Sequence, residues 1–357
     1  MKITILGAGA MGSLFGGLLA EAGASVALLD VNQQHLDAIR RNGLRLDTDT
    51  GSRSIHQLAA ARPEQWTDVP DLLMIFTKTH QIAAALTSAR HLLGQATWVL
   101  TLQNGLGNVE AISAFVPRDR ILVGVTTIPA DFLGPAHVTS HGAGQIRMGH
   151  AGNAALTDHP GHRPFNDCCM LCQVVDLFNR AGLHAHADPN VWAAIWEKVA
   201  FNAAFNALCA VTGCTVEQIG RVPSGPAAAL AVVAETIAVA RASHIPADLA
   251  RTQAMILGSF TTRAGHQPSM LQDINAHRRT EIDSINGAIV RAAQAHNLPV
   301  PCTEMLFTLV SLIEARYSNN VIPTEAREKI SPAVHDLHPR EVEGPPVAEM
   351  HYTSHHS

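Results

Sequence analysis

A glycine-rich segment near the N-terminus has the spacing of a phosphate-binding turn. Gly7, Ala8, Gly9, Ala10, Met11 and Gly12 read G-x-G-x-x-G, between a short apolar run and an Ala/Leu-rich helical pattern. In such a turn the first glycine permits a tight bend, the second lets the backbone approach a pyrophosphate, and the third lets helix and strand pack closely. The segment predicts a dinucleotide-binding loop, and the alternative is a glycine-rich turn without a ligand.

An acidic residue follows at the offset expected for ribose recognition. Asp30 ends the apolar run 26–29, and a carboxylate about 20 residues beyond the glycine-rich turn usually accepts hydrogen bonds from the adenosine ribose. Because a carboxylate there repels a 2′-phosphate, Asp30 favours NAD(H) over NADP(H). The alternative role is that of a turn residue, or of the cap of a helix that begins near Asn32.

Three polar residues recur every fourth position in an otherwise apolar helical stretch. Lys198, Asn202 and Asn206 lie within residues 191–208, whose other residues are mostly apolar. At about 100° per residue the three form one ridge, and such groups are costly to bury unless they are paired or face a cleft. Lys198 is the candidate proton donor, since partial burial can lower the pKa of a lysine. Pairing of Lys198 with a carboxylate, and of the amides with buried backbone, is the structural alternative.

A second polar segment lies further along the chain. Ser269 is followed three residues later by Gln272, the pattern of a capping box that opens a helix. A hydroxyl at a helix N-terminus also suits a substrate carboxylate. Glu281 follows in a stretch with two arginines and two acids, which could form only a solvated, ion-paired turn.

The elements that must position these residues alternate between strand and helix. Strand-like runs at residues 3–6, 26–29, 72–77 and 98–102 are each followed by helix-compatible segments. This alternation predicts an α/β fold with a Rossmann-type doubly wound sheet, parallel and covered on both faces. Residues 121–148, rich in β-branched residues, predict further strands, some of them antiparallel. A loop at 153–166, a helix at 169–181 and a short strand near His184 complete the domain.

Beyond residue 190 the strand signal almost disappears. Ala-rich helical periodicity dominates to about Tyr317, and after Ser331 the chain turns to Pro, Glu and His. The pattern predicts a dinucleotide-binding domain over 1–188, an all-helical substrate domain over 189–330 and a poorly ordered tail over 331–357.

Composition excludes several classes of partner. The chain has 357 residues, a net charge of −5 and no run of like charge, so no footprint for nucleic acid or anionic lipid is present. The sequence contains no uninterrupted apolar stretch of 18 residues, so a membrane span is not predicted. Glycines interrupt the one segment that resembles a signal peptide, so we expect a cytoplasmic location. The six cysteines, three of them crowded at 168, 169 and 172, are expected to be reduced thiols rather than a metal site.

The chain resembles the ketopantoate reductase (2-dehydropantoate 2-reductase) family from Met1 to about Leu312. The resemblance rests on several motifs together: the glycine-rich turn, Thr77-Lys78 with Gln81, Gln103-Asn104-Gly105, the Lys198/Asn202/Asn206 ridge, and the segments 269–273 and 280–283. It implies hydride transfer from a nicotinamide to a 2-keto acid, giving a 2-hydroxy acid such as pantoate. From the charge and composition we expect a small-molecule partner, and the assembly considered is a homodimer.

The resemblance assigns roles to individual residues. Lys198 would protonate the ketone oxygen, and Glu281 would orient substrate and cofactor. Asn202, Asn206 and Ser269 would hold the hydroxyl and carboxylate of the substrate. Lys78 and Asn104 would line the nicotinamide side of the cleft, where Asn104 also reaches the substrate.

Two departures from the family pattern bear on specificity. Members that use NADPH commonly carry an arginine just beyond the second strand, where this chain has Asp30, Val31 and Asn32. These residues therefore predict a preference for NAD(H), while the resemblance to the family also allows NADP(H) as the cofactor. A polar substrate contact of some members falls near Val216, which favours a more apolar 2-keto acid, as for a D-mandelate-type D-2-hydroxyacid dehydrogenase.

Two further readings remain as alternatives. A dinucleotide-sensing protein without catalysis would keep the glycine-rich turn, but retention of both Lys198 and Glu281 argues against it. A hydroxyacyl-CoA dehydrogenase would share the turn and Asp30, but such enzymes rely on a His/Glu pair. The sequence pairs no histidine of the second domain with a suitable glutamate.

Overall fold

A computed structural model describes residues 1–152, 170–262, 265 and 267–318. The described residues between Met1 and Glu314 form one compact unit. The predicted loop at 153–166, Cys168, Cys169 and the predicted tail from residue 331 lie outside the described residues.

The described chain contains strands in two sheets. In chain order they are β1 (Lys2–Leu6), β2 (Ser25–Leu29), β3 (Leu44–Thr48), β4 (Gly51–Ile55), β5 (Leu58–Ala61), β6 (Leu72–Ile75), β7 (Trp98–Thr101), β8 (Ile121–Thr126), β9 (Asp131–Gly134), β10 (His137–Ser140), β11 (Ile146–His150) and β12 (Ala185–Ala187). The larger sheet has the order β12-β11-β8-β7-β6-β1-β2-β5, and the smaller has the order β4-β3-β10-β9.

The described helices flank the larger sheet and then fill the second half of the chain. They are α1 (Ala10–Glu21), α2 (Gln33–Asn42), α3 (Ile82–Ser88), α4 (Asn108–Ser113), α5 (Met170–Arg180), α6 (Val191–Thr212), α7 (Val216–Arg221), α8 (Gly225–Ala242), α9 (Leu249–Thr262), α10 (Ser269–Asn275), α11 (Asn286–Ala295) and α12 (Pro301–Ser318). The predicted domain boundary at residue 188 falls between β12 and α6.

The larger sheet confirms the predicted Rossmann-type fold. Its strands pair in parallel from β5 through to β8, whereas β11 is antiparallel to β8 and parallel to β12, so β11 and β12 run opposite to the rest. The central strands are apolar throughout and buried on both faces, as all four residues of Leu72–Ile75 show. Helix α1 begins at Ala10, within the glycine-rich segment, and buries Leu14, Phe15 and Leu19.

The smaller sheet is only partly foreseen by the sequence pattern. Extra strands within 121–148 are confirmed, but no strand was identifiable between residues 30 and 71, where three occur. Strands β3 and β4 read LRLDT and GSRSI, and Leu44, Leu46 and Ile55 are their only buried side chains. Because these strands have few apolar residues and many exposed positions, their alternation of apolar and polar residues is too short to be recognised in the sequence.

His35 links the smaller sheet to the glycine-rich turn. The buried ring accepts a hydrogen bond at Nδ1 from the Ala136 backbone N–H at 2.9 Å, so Nε2 carries the proton. That Nε2 lies 3.2 Å from the Ser13 hydroxyl, which donates to the Ala8 carbonyl at 2.7 Å. The neutral ring therefore holds the turn through Ser13.

Burial of His35 predicts a loss of stability in mild acid. Desolvation lowers the pKa of His35 below its ordinary value, and nearby Asp30 only partly opposes this. Below the pKa that His35 has in the unfolded chain, the unfolded chain binds a proton at this residue while the folded protein does not. The free energy of unfolding therefore falls as the pH drops. Between about pH 7.5 and 5.5, urea unfolding of His35→Gln should show a shallower decline, by up to about 1.4 kcal/mol per pH unit. His186→Gln, at an exposed histidine on β12, is the control, and equal slopes in wild type and His35→Gln would contradict the prediction.

Helices α6 and α8 form the centre of the second half. Both contribute to one apolar core, with Phe205 on α6 and Val232 and Ile237 on α8 fully buried. Within the described part of the chain, α8 is the one helix with the length and composition to cross a membrane, a test that core helices of soluble proteins also pass. Val216, near which the resemblance placed a substrate contact, is buried in this apolar core.

The capping box predicted at Ser269 is wrong. Pro268 occupies the cap position of α10, Ser269 is the first helical residue, and no side-chain cap bond forms. Gln272 instead donates from Nε2 to the Gln267 carbonyl at 3.0 Å. With proline in the cap position, the hydroxyl of Ser269 stays exposed and available.

Candidate active site

The carboxyl ends of the parallel strands open onto a cleft of about 870 Å³. The sheet order reverses around β1, which lies between β2 and β6, and such switch points are where open α/β sheets bind ligands. Loops after β1, β2, β5, β6, β7 and β8 form one wall, and Lys198, Ser269 and Glu281 contribute from the helical half. The volume is in the range of about 300–1,000 Å³ found for small-molecule and cofactor sites.

The glycine-rich turn leaves room for a phosphate group. Gly7 has φ +100° and donates to the Leu29 carbonyl at 2.8 Å. A Cβ at Gly12 would lie 1.9 Å from the Gly7 carbonyl oxygen, so Gly12 is required by packing between turn and helix. Gly9 lines the cleft, and a Cβ there would meet no atom within 4 Å. The space beside Gly9 therefore fits a pyrophosphate.

Asp30 lines the cleft and also holds the turn. Its Oδ2 accepts from the Ala8 backbone N–H at 2.7 Å, and its Oδ1 accepts from the Asn32 N–H at 2.8 Å. The cap of α2 is Asn32, whose Oδ1 accepts from the His35 N–H at 3.1 Å. Each Asp30 oxygen keeps a lone pair for a ribose hydroxyl.

Lys198 reaches the cleft from α6. Its Nζ donates to the Thr126 carbonyl at 2.7 Å, at the end of β8, which fixes the ammonium at the rim of the sheet. Asn202 is buried behind it and lines a small adjoining cavity with Lys198 and Asn104. Asn206, one turn further, is also buried and does not line the cleft.

Glu281 is a buried carboxylate in a network that spans both halves of the fold. Burial raises its pKa, while the charge of Lys78, the Thr79 backbone N–H and the Asn104 side chain favour its ionised form. Lys78 Nζ lies 2.6 Å from Asp273 Oδ2. Asp273, itself buried, also accepts from Arg278 Nε at 3.0 Å, so one carboxylate joins two cations.

The cleft brings together most of the predicted site. Lining residues from the predictions are Gly7, Gly9, Ala10, Met11, Asp30, Lys78, Asn104, Lys198, Ser269 and Glu281. Ala8, Gly12, Asn202 and Asn206 are not in its lining. Ala8 and Gly12 shape the turn, and the two asparagines lie deeper along α6.

The structure adds residues whose roles the sequence did not indicate. Gln103 accepts from the Thr101 hydroxyl at 2.8 Å and donates to the Thr77 carbonyl, which ties the ends of β6 and β7 together. The Thr126 carbonyl anchors Lys198, and because the acceptor belongs to the main chain, the residue type at position 126 does not indicate this contact. Glu64 lines the cleft near Asp30 because β5 pairs with β2.

A backbone joint connects the loop after β7 to the segment that carries Glu281. Leu106 N–H donates to the Ser284 carbonyl at 2.7 Å. Gly105, with φ +80°, approaches so closely that a Cβ there would lie 2.5 Å from the same carbonyl oxygen. Asn104 and Glu281 are thus held at a fixed separation by the main chain on either side.

Comparison with known proteins identifies related sequences along most of the chain. Residues 3–153 match the model of Ketopantoate reductase PanE/ApbA, and residues 190–314 match that of its C-terminal part. The 2-dehydropantoate 2-reductase of Streptococcus pyogenes serotype M3 is 32% identical over 316 residues, covering 88% of this chain and 98% of the relative. That of Pyrococcus abyssi is 34% identical over 315 residues, with coverage of 88% and 98%.

Solved structures agree with the sequence matches. A ternary structure of D-mandelate dehydrogenase with NADH and anilino(oxo)acetate superposes with a TM-score of 0.81 at 30% identity, covering 89% of this chain and all of the other. A PanE/ApbA family ketopantoate reductase from Ralstonia eutropha JMP134 gives a TM-score of 0.77 at 30% identity, with coverage of 89% and 100%. The chain therefore belongs to the ketopantoate reductase family.

Proposed function

We propose that this protein reduces a 2-keto acid to a 2-hydroxy acid with a nicotinamide cofactor. The observation that carries the proposal is the meeting, in one cleft, of the glycine-rich turn and the Lys198 ammonium. These groups come from opposite halves of the fold, and a reductase needs both a dinucleotide site and a proton donor within reach of it. Membership of the family supports the same activity.

The residues of the cleft fit a dinucleotide. The turn at Gly7–Met11 and the N-terminus of α1 would take the pyrophosphate, since the first N–H groups of a helix have no partner within the helix. Asp30 would accept from the adenosine ribose, and Lys78 and Asn104 would border the nicotinamide. When bound, a reduced nicotinamide supplies the hydride that reduces the ketone carbon.

Lys198 completes the reaction by moving a proton. As hydride reaches the carbonyl carbon, negative charge develops on the ketone oxygen, and the ammonium at Nζ stabilises it and then transfers its proton. The product is a neutral hydroxyl and a neutral amine, which is reprotonated from solvent. The Thr126 carbonyl accepts one hydrogen of the ammonium and so holds Nζ at the edge of the cleft that Lys198 lines.

We propose 2-dehydropantoate as the substrate, after the named activity of the relatives. A more apolar 2-keto acid is the second candidate, because Phe76, Leu102 and Ile128 line the cleft and the related D-mandelate dehydrogenase was solved with anilino(oxo)acetate. Ser269, Asn202 and Asn206 would hold the polar groups in either case. A homodimer in the cytoplasm remains our expectation, and sedimentation velocity measures the assembly.

A panel of 2-keto acids with NADH and NADPH tests the proposal directly. We expect turnover of 2-dehydropantoate, followed by loss of nicotinamide absorbance, and a higher kcat/KM with NADH than with NADPH. Phenylglyoxylate in the panel separates the second candidate from the first. Absence of turnover with every 2-keto acid, in protein that binds NADH, would favour the dinucleotide-sensing alternative.

Ser269→Ala should weaken substrate binding without a cost in stability. Loss of one hydrogen bond to a substrate carboxylate costs about 1–3 kcal/mol, which raises KM roughly 5- to 150-fold. Because Ser269 makes no cap bond, the midpoint of urea unfolding should stay unchanged. Ser224→Ala is a matched control, since Ser224 also lies at a helix start without a side-chain cap bond and away from the cleft. An unchanged KM in Ser269→Ala would place the substrate elsewhere.

A further inference from the structure

We propose that Arg62 and Glu64, which follow β5, form a charge pair that sets the discrimination against a 2′-phosphate on the cofactor. The inference rests on the proposed function in one respect, that the cleft binds a nicotinamide dinucleotide. It assigns cofactor specificity to two residues beyond Asp30, and it predicts that Glu64 suppresses a latent phosphate site at Arg62.

Strand pairing brings Arg62 to the end of β2. Strand β5 runs parallel to β2, with Ala61 opposite Leu29, and the Asp30 N–H donates to the Ala61 carbonyl at 3.3 Å. Arg62 is the next residue, and its Nη1 donates to the Val31 carbonyl at 3.1 Å. A guanidinium thus lies just beyond the second strand in space, although residues 30–32 of the sequence carry no arginine.

Glu64 lies on the cleft side of that guanidinium. It lines the cleft together with Asp30, Val31 and Pro63, and its Oε2 is 3.7 Å from Arg62 Nε. Pro63 stands between the two residues and begins a single turn of 3-10 helix that ends at Gln65. Glu64 therefore adds a second carboxylate to the end of the cleft that Asp30 lines, and it partly offsets the charge of Arg62.

The charges at this end of the cleft favour a ribose without a phosphate. Asp30 and Glu64 place two carboxylates at this end of the cleft, and the Arg62 guanidinium lies beside Glu64. A 2′-phosphate carries up to two negative charges, so both carboxylates would repel it, while the guanidinium that could bind it is paired with Glu64. Arginine forms strong bidentate bonds with phosphate once it is not held by a carboxylate.

Removal of the Glu64 charge should therefore shift the selectivity of the site toward a 2′-phosphorylated nucleotide, rather than only lower its affinity for nucleotides. Glu64→Gln keeps size and hydrogen bonding but loses the charge, which frees Arg62 for a phosphate. We expect the ratio of the affinity for a 2′-phosphorylated nucleotide to that for its unphosphorylated counterpart to rise about tenfold. Asp30→Ala is a poorer probe, because it also removes the acceptor that holds the Ala8 N–H of the turn.

The test uses nucleotide binding without turnover. Calorimetric titration with adenosine 2′,5′-bisphosphate and with 5′-AMP compares wild type, Glu64→Gln, Arg62→Ala and the double variant. Arg62→Ala should lower the affinity for the bisphosphate, and the gain from Glu64→Gln should vanish in the double variant. Raising the salt concentration should shrink the gain, since both residues are partly exposed. The matched control is Glu110→Gln, whose Glu110–Arg118 pair at 3.8 Å lies away from the cleft.

The outcomes separate this inference from the proposed function. A shift of selectivity toward the bisphosphate in Glu64→Gln alone, abolished by Arg62→Ala, supports the charge pair. Binding of both nucleotides with the same selectivity in all variants overturns the charge pair and leaves the reductase proposal standing. If wild-type protein binds neither nucleotide nor NADH, both proposals are overturned.

Discussion

Lys198→Ala is expected to lower kcat by roughly 10²- to 10⁴-fold, the range for loss of a positioned general acid. The ammonium is held at the end of β8 by the Thr126 carbonyl and faces the same cleft as the glycine-rich turn. Removing it leaves the developing negative charge on the ketone oxygen without a partner in a desolvated site. Cofactor affinity should change little, because the turn and Asp30 lie on the other wall.

Stopped-flow or steady-state absorbance at saturating substrate measures this effect. Added methylamine should restore part of the turnover in Lys198→Ala, since a small amine fits the space vacated by the side chain, and a merely structural defect would not respond. Lys2→Ala is the control for loss of a lysine far from the cleft. Turnover near the wild-type level in a variant that binds NADH normally would assign the proton donor to another group.

Gly9→Val is expected to weaken dinucleotide binding by roughly 10- to 100-fold while the fold persists. Gly9 has an ordinary extended backbone, with φ −66° and ψ −161°, and a Cβ there meets no protein atom within 4 Å. The added side chain therefore fills the space meant for the pyrophosphate, and overpacking of this kind costs about 1–3 kcal/mol.

Titration of NADH fluorescence gives the dissociation constant, and circular dichroism checks the fold. Gly134→Val is the matched control, because a Cβ at position 134 would also meet no atom within 4 Å, while the residue lies on β9, away from the cleft. Equal cofactor affinity in both variants would mean that the pyrophosphate does not approach Gly9.

The sequence predicts those strands and helices whose hydrophobic pattern is visible within one continuous segment of the chain. The Rossmann-type sheet was predictable because parallel strands such as Leu72–Ile75 are continuous apolar runs, and the glycine-rich turn marks where the first one ends. The smaller sheet was not, because β3 pairs with the distant strand β10, with Leu46 opposite Val138, and neither strand is apolar enough to be recognised alone.

The same distinction applies to the candidate site. The Lys198 ridge follows from helical periodicity within one segment, whereas Lys78 and Glu281 were indicated only by resemblance to a family. Lys78 pairs with Asp273, a residue 195 positions away, and its charge also acts on the buried Glu281, and no local pattern encodes either interaction. Arg62 and Glu64 were missed for a similar reason, since their position depends on the pairing of β5 with β2.

The backbone joint at Gly105 and Ser284 has a consequence for protein engineering. Exchange of the helical half for that of a relative is an obvious route to a new substrate range, because Lys198 and Ser269 both belong to it. The carbonyl of Ser284 must then receive the Leu106 N–H and tolerate the close approach of position 105. A graft whose main chain deviates there would displace Glu281 from Asn104. Substrate range is therefore better altered by point substitutions inside the cleft than by transplanting the half as a module.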